Sequence, residues 1–98
     1  MADARSDAGK IYVVDTSVLV SAPDALHHLT HGNTVIIPFP VLQELDRKRA
    51  DTNGVGYTAR QTIRFLDQLQ SDATADMLRH GIPLEGGLVR FHGGELDV

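Results

Sequence analysis

Two short apolar runs, separated by a segment with helical signals, constrain the fold more than any other feature of this chain. Residues 11–14 (IYVV) and 35–37 (VII) are rich in β-branched side chains, which is typical of strands buried on both faces of a parallel sheet. A strand, helix, strand connection closes right-handed and places its two strands parallel. The sequence therefore predicts an α/β protein in which the carboxyl ends of both strands lie at one edge of the sheet.

The first predicted helix and the second predicted strand follow from turn and capping signals. Ser21-Ala22-Pro23-Asp24 has the form of a capping box and predicts a helix over residues 23–31. Gly32 and Asn33 provide residues that end a helix and form a turn. The second strand is expected over residues 34–38, and the first over residues 10–15.

Two further helices are predicted after the second strand. The first has Val41, Leu42 and Leu45 on one face and ends within residues 51–56. The next covers residues 57–70 and places these side chains toward the core: Ala59, Ile63, Leu66 and either Phe65 or Leu69. Residues 76–80 extend a helix, and residues 88–91 form a strand or hairpin between two glycine pairs. The predicted order is β-α-β-α-α with a C-terminal strand or hairpin.

Composition and length limit the class of protein. With 98 residues and 42% hydrophobic residues, the chain is an ordinary globular domain. Residues 1–9 are expected to form a flexible leader, and residues 10–98 the domain portion. The absence of cysteine excludes disulfides and thiolate metal sites. No stretch approaches the roughly 20 apolar residues of a membrane span, and residues 1–10 are too polar for a signal peptide. We therefore expect a cytoplasmic protein.

Asp15 and Glu44 are the candidate functional acids. Asp15 stands where the first apolar run ends, and ligands of open α/β sheets bind beyond the carboxyl ends of strands. Glu44 lies about one and a half turns into the helix that follows the second strand, within reach of the same edge. Two converging carboxylates suit a hydrated divalent cation, which activates water for attack on a phosphodiester. The alternative is that Asp15 caps a turn and Glu44 is merely exposed.

The basic residues are concentrated in the middle of an acidic chain. The net charge is -4, but residues 40–70 contain four acids and five bases. These bases are Arg47, Lys48, Arg49, Arg60 and Arg64. They either contact phosphates or form a solvated helix end whose cations complement the helix dipole.

Several motifs together resemble the first half of a PIN domain, of the type found at the N-terminus of PhoH-like proteins. They are residues 11–19 (IYVVDTSVL), 35–38 (VIIP), 41–46 (VLQELD) and the Gly56 to Leu66 segment with Arg60 and Arg64. The resemblance covers residues 10–70 and extends to the glycine-rich piece that ends at residue 94. It implies a partial PIN-like fold with a parallel sheet and flanking helices.

The resemblance also implies a function. It implies a metal-dependent endoribonuclease that hydrolyses RNA, with Asp15 and Glu44 as the first two acids of a Mg²⁺ or Mn²⁺ site. Thr16 or Ser17 would match the polar residue that supports the first acid. The five basic residues would contact RNA phosphates, and the parent protein would carry a C-terminal PhoH-like ATPase domain.

The chain departs from the family pattern in its later acids. PIN domains supply further acids from a later helix and strand, and this sequence lacks that region. The remaining acids do not have the expected surroundings: Asp72, Asp76, Glu85, Glu95 and Asp97. We therefore expect an N-terminal portion of a longer protein that binds metal weakly, is inactive alone, and self-associates through an unprotected sheet edge.

The sequence also contains features of other classes of protein. A haloacid-dehalogenase-like phosphatase needs a second Asp two residues after the first, where Ser17 stands. His27 and His31 have a metal-compatible spacing without a third ligand, so solvated or partly packed histidines are expected. The segment from Gly54 to Gly56 lacks the features of a nucleotide-binding loop. A non-catalytic PIN-like scaffold or protein-interaction module stays open as the alternative function.

Overall fold

One mixed sheet with flanking helices organises the computed structural model, which describes residues 9–22 and 24–93. The strands are β1 (Ile11–Val13), β2 (Thr34–Pro38), β3 (Ile82–Leu84) and β4 (Gly87–His92). The helices are α1 (Thr16–Leu19), α2 (Ala25–Thr30), α3 (Phe39–Lys48), α4 (Gly54–Asp72) and α5 (Ala75–His80). The predicted α/β class is confirmed.

The sheet is parallel except at one end. Its strand order is β1-β2-β4-β3, with β1 parallel to β2 and β2 parallel to β4, whereas β3 runs antiparallel to β4. Val13 lies opposite Ile36, and the Val14 amide donates to the Ile36 carbonyl at 3.1 Å. The carboxyl ends of β1 and β2 therefore lie at one edge, as the apolar runs predicted. Both α1 and α3 begin at this edge.

The core lies between one face of the sheet and the two longest helices. In β2, Val35 and Ile37 are fully buried, and Val89 of β4 faces the same side. Leu45 of α3 and Leu66 of α4 are also buried. Full burial of each such side chain contributes about 1.5 to 3 kcal/mol. The predicted inward-facing positions of α3 and α4 are confirmed, with Leu42, Ile63, Phe65 and Leu69 packed at the margin of this core.

Asn33 joins three elements at the start of β2. Its side-chain amide donates to the Leu29 carbonyl at 2.9 Å, and its side-chain oxygen accepts from the Lys10 amide at 3.0 Å. Its backbone carbonyl accepts from the Leu88 amide at 2.9 Å. The end of α2, the start of β1 and the start of β4 are therefore fastened to one residue.

The expectation that the first strand is buried on both faces is wrong. The side chains of Ile11 and Val13 are 70% and 67% exposed, while Tyr12 between them is partly buried against the core. Among the described residues, β1 is an edge strand, and no described helix covers its second face. The apolar run identified a strand correctly, but run composition cannot tell which faces other elements cover.

The predicted capping box is also wrong. Instead of capping a helix, the Ser21 hydroxyl donates to the Val18 carbonyl at 2.7 Å, while Asp24 occupies the N-cap of α2 without a side-chain cap bond. The Ser21 hydroxyl can bond to Val18 because Ser21 follows α1, a short helix where the sequence predicts a turn. The predicted helix over 23–31 shortens to α2, and Pro23 lies outside the described residues, as do residues 1–8 of the predicted leader.

The C-terminal segment forms a helix and a hairpin. Thr74 caps α5 by accepting from the Met77 amide at 3.1 Å, so α5 is separate from α4 and does not extend it. Leu84 pairs with Gly87 across a two-residue turn in which Glu85 and Gly86 have φ of 51° and 79°. Positive φ at both turn residues matches the twist of a hairpin. The predicted strand or hairpin is thus a hairpin, and its strand β4 pairs with β2.

None of the described helices has both the length and the apolar character needed to cross a lipid bilayer.

Candidate functional site

Asp15 lies two residues after the end of β1 and caps α1. Its Oδ1 atom accepts from the Val18 amide at 3.3 Å and from the Ser17 hydroxyl at 2.9 Å. An aspartate at the N-cap satisfies helix amides that have no partner within the helix. Its Oδ2 atom accepts no hydrogen bond from the described residues, and the side chain is exposed. The carboxylate is thus held in place by one oxygen and presents the other to solvent.

Thr16 links the end of β1 to Glu44. The Thr16 hydroxyl donates to Glu44 Oε1 at 2.9 Å, and the threonine is 4% exposed. Glu44 is the sixth residue of α3, and α3 packs against α1. Thr16 directly follows Asp15 in the chain, and their Cα atoms are about 3.8 Å apart. Glu44 therefore contacts the residue next to Asp15. Glu44 therefore reaches back toward the sheet edge, where it is partly buried and hydrogen-bonded instead of simply exposed.

Lys48 is the cation nearest to Glu44 among the described residues. Its Nζ lies 3.9 Å from Glu44 Oε2, one helical turn further along α3. This pair is partly exposed, so it contributes little to stability. Its effect is to place a positive charge beside one oxygen of the Glu44 carboxylate, while the Thr16 hydroxyl donates to the other oxygen.

The two carboxylates fit a hydrated divalent cation. Mg²⁺ keeps several water ligands and is bound through one or two carboxylates, and the carboxylates of Asp15 and Glu44 are each held by a neighbouring hydroxyl. Within residues 9–22 and 24–93, no group of three or more potential metal-ligating side chains is found. Asp15 and Glu44 are thus the two described side chains that would hold a Mg²⁺ or Mn²⁺ ion at this edge of the sheet.

The five candidate phosphate-binding residues divide into two sets. Arg47 and Lys48 occupy the last turn of α3, where they also complement the helix dipole. Arg49, Arg60 and Arg64 instead line a groove between the end of α3 and α4. The sequence predicts phosphate contacts or a solvated helix end for all five, and the structure places three of them in this groove and two in the last turn of α3.

His27 and His31, the histidine pair of the predicted first helix, lie within α2 and directly after it. His27 Nδ1 lies 2.9 Å from Glu85 Oε2, and its ring lies 4.6 Å from that of Phe65. His31 is exposed.

The role of Thr16 was only half anticipated. The sequence predicts that either Thr16 or Ser17 supports Asp15. In the structure Ser17 does so, and Thr16 supports Glu44 instead. The available signal was that two hydroxyl residues directly follow the acid, enough for one to serve each carboxylate.

Comparison with known proteins assigns this chain to a family. The PIN domain family model matches residues 12–86, most of the chain. The chain belongs to the PIN domain family. PIN domains are generally nucleases and generally use divalent metals, and the matched region contains both candidate acids.

Three similar curated relatives are each named Protein PhoH2. The Bacillus subtilis protein is 38% identical over 83 residues, which cover 84% of this chain and 18% of the relative. The Thermobispora bispora protein is 36% identical over 93 residues, covering 90% and 19%. The Mycolicibacterium smegmatis protein is 35% identical over 91 residues, covering 93% and 19%. This PIN domain thus spans about one fifth of their length. No solved structure matches the chain.

Replacing Thr16 by valine is expected to lower the free energy of unfolding by about 1 to 2 kcal/mol, because a hydrogen bond to a charged group is lost at nearly constant volume. Thermal unfolding of Thr16→Val, Glu44→Ala and the double variant measures the coupling between the two side chains. If the two single effects simply add, the Thr16 to Glu44 hydrogen bond does not stabilise the fold.

Proposed function

We propose that this PIN domain is a divalent-metal-dependent ribonuclease whose Mg²⁺ or Mn²⁺ is held by Asp15 and Glu44. The observation that carries the proposal is the hydrogen bond from Thr16, the neighbour of Asp15, to Glu44. It joins two residues that are 28 positions apart in sequence and belong to different helices. Membership of a family that generally consists of nucleases supports the same assignment.

The side chains divide the work at this site. Ser17 and the Val18 amide hold one oxygen of Asp15, so its other oxygen is oriented outward. Thr16 orients Glu44 in the same way. A bound divalent ion supplies an activated water and stabilises charge on the scissile phosphate. Lys48, beside Glu44, and the exposed Arg47 attract the RNA backbone, which is sequence-independent work.

We assign the activity to a longer protein. Two acids hold Mg²⁺ weakly, so the 98-residue chain is expected to be inactive alone. The relatives are about five times longer, and a C-terminal PhoH-like ATPase domain is the further partner that we propose. The cysteine-free composition supports a cytoplasmic location.

A non-catalytic interaction module is the second candidate function. The observation that favours it is the exposed apolar pair Ile11 and Val13 on an edge strand, since such edges pair readily with other chains. The simplest interaction of this kind would be self-association of two copies through β1.

Cleavage of labelled single-stranded RNA by the longer protein tests the proposal. We expect cleavage in Mg²⁺ or Mn²⁺ and none in excess EDTA, with activity restored when the metal is added back. The metal dependence follows because neither carboxylate alone activates water for phosphodiester attack. RNA binding without cleavage under every metal condition would favour the interaction module, and cleavage that persists in EDTA would remove the metal from the mechanism.

A further inference from the structure

Three arginines from two neighbouring segments line one groove on the far side of α3 from Glu44. The groove encloses about 450 Å³ between the end of α3 and α4. Its lining is Arg49, Ala50, Arg60, Ile63, Arg64 and Asp67. Two carboxylates, Asp67 in the lining and Asp46 paired with Arg49, accompany the three guanidinium groups, so the groove keeps a net positive charge although the whole chain has a net charge of -4. The groove is therefore a local site for anions.

Arg60 is fixed in position before any ligand arrives. Its Nη1 donates to the backbone carbonyls of Arg49 at 2.7 Å and Asp51 at 3.2 Å. A guanidinium group has five N–H donors, so these two bonds leave further donors on the same rigid plane. Because the side chain is already ordered, less entropy is lost when it binds a ligand.

Arg49 and Arg64 add adjustable donors to this fixed one. Arg49 Nε lies 3.1 Å from Asp46 Oδ1, which holds the stem of the side chain at the groove. Arg64 is exposed and has no ion pair within the described part of the chain. Planar guanidinium groups bind phosphate through paired hydrogen bonds. One fixed and two adjustable guanidinium groups suit a phosphate on a flexible strand.

The groove is connected to the candidate acids by further positive charge. From Glu44 to Arg49 the helix advances about 7.5 Å and turns by about 140°. Lys48 lies 3.9 Å from Glu44, and Arg47 is exposed in the same last turn. A chain of phosphates that leaves Glu44 would therefore pass Lys48 and Arg47 before it enters the groove.

We propose that this groove binds a backbone phosphate of single-stranded RNA several nucleotides away from the cleaved bond. The inference rests on the proposed function, in which RNA is the substrate. A contact so far from the reacting phosphate contributes to affinity and to the length of RNA bound, and it leaves the chemical step unchanged.

Fluorescence anisotropy with labelled single-stranded RNAs of about four and about twelve nucleotides tests the proposal. All proteins carry Asp15→Asn so that no RNA is cleaved. Arg64→Ala is expected to weaken binding of the longer RNA by about tenfold, with little effect on the shorter one. The slope of log K against log salt should fall by about 0.7, the value for one phosphate of a single strand.

Two further variants are expected to change the affinity for RNA differently: one should increase it and the other should leave it unchanged. Asp67→Asn removes the acid from the groove and should tighten binding of the longer RNA. Arg79→Ala, an exposed arginine on α5 paired with Asp76 at 3.6 Å, should leave binding unchanged. Thermal unfolding of each variant shows whether the fold is retained, which we expect because all three side chains are exposed.

The outcomes separate this inference from the proposed function. Equal loss of affinity for both RNA lengths, or no loss in Arg64→Ala, overturns the groove assignment even if the protein cleaves RNA. Displacement of the RNA by a mononucleotide at equal affinity overturns it in favour of a nucleotide site. If Arg64→Ala weakens binding of the longer RNA alone, but the longer protein without Asp15→Asn cleaves no RNA, the groove assignment is supported and the proposed nuclease function is contradicted.

Discussion

Asp15→Asn is expected to lower metal-dependent RNA cleavage by on the order of 10³-fold, the largest functional effect that we predict. In the proposed site, removing one of the two carboxylates weakens metal binding and so reduces the several kcal/mol of charge stabilisation that the ion would supply to the transition state. The neutral amide keeps the shape of the side chain, so the substrate can still approach. The loss should therefore fall on catalysis.

Stability should change little in Asp15→Asn, because Asp15 is also the N-cap of α1. Asparagine caps helices about as well as aspartate, and its side-chain oxygen can still accept from Val18 and Ser17. Asp15→Ala, in contrast, should also lower the free energy of unfolding by about 1 kcal/mol. The pair of variants separates the catalytic role of this carboxylate from its structural one.

The measurement is the cleavage rate at saturating Mn²⁺ together with thermal unfolding of each variant. Glu44→Gln is the companion variant, since glutamine can still accept from the Thr16 hydroxyl. If Asp15→Asn cleaves RNA at the original rate while the metal dependence persists, the ion is held elsewhere and the assignment of Asp15 fails.

Gly87→Ala is expected to cause the largest loss of stability, on the order of 3 kcal/mol or more. A Cβ atom at this position would overlap the backbone carbonyl oxygens of Thr30 and Asn33. Neither oxygen belongs to a flexible side chain that can move aside, and the Asn33 carbonyl already accepts from the Leu88 amide. The start of β4 would have to move away from β2, which disturbs the central strand pair of the sheet.

Thermal and denaturant unfolding measure this effect. A domain of this size loses about 4 to 8 °C of Tm per kcal/mol, so we expect a decrease of more than about 10 °C. Gly54→Ala is the matched control, because a Cβ there meets no atom within 4 Å and Gly54 is the first residue of α4. Equal unfolding temperatures for the two alanine variants would mean that β4 does not approach residues 30 and 33 so closely.

The sequence predicted the central elements well and the short ones poorly. Residues 34–38 were predicted as a strand with the bounds that the structure has, because an apolar β-branched run follows a clear Gly32-Asn33 turn. Helix α1 has four residues and no apolar periodicity, so it resembles a turn in sequence. The exposure of Ile11 and Val13 depends on which elements cover β1, and no local pattern contains that information.

For the candidate site, the sequence predicted residue types and the edge of the sheet but not the contacts. The parallel arrangement of β1 and β2 follows from chain topology, and it was enough to bring Glu44 toward the end of β1. The choice of Thr16 as the partner of Glu44 depends on how α1 packs against α3. The separation of Arg49, Arg60 and Arg64 from Lys48 depends on the rotation of α3 about its axis. Both are tertiary properties.

The hydrogen bonds of Asn33, which form a clasp between the end of α2, the start of β1 and the start of β4, have a consequence for the rate of folding. Its partners include Lys10 and Leu88, which lie 23 residues before it and 55 residues after it. Contacts this distant in sequence slow folding, because a long loop must close before they form. During synthesis, the ribosome must therefore release residues up to about Leu88 before the clasp can close, so a shorter nascent chain exposes the apolar strands and depends on protection from aggregation until then.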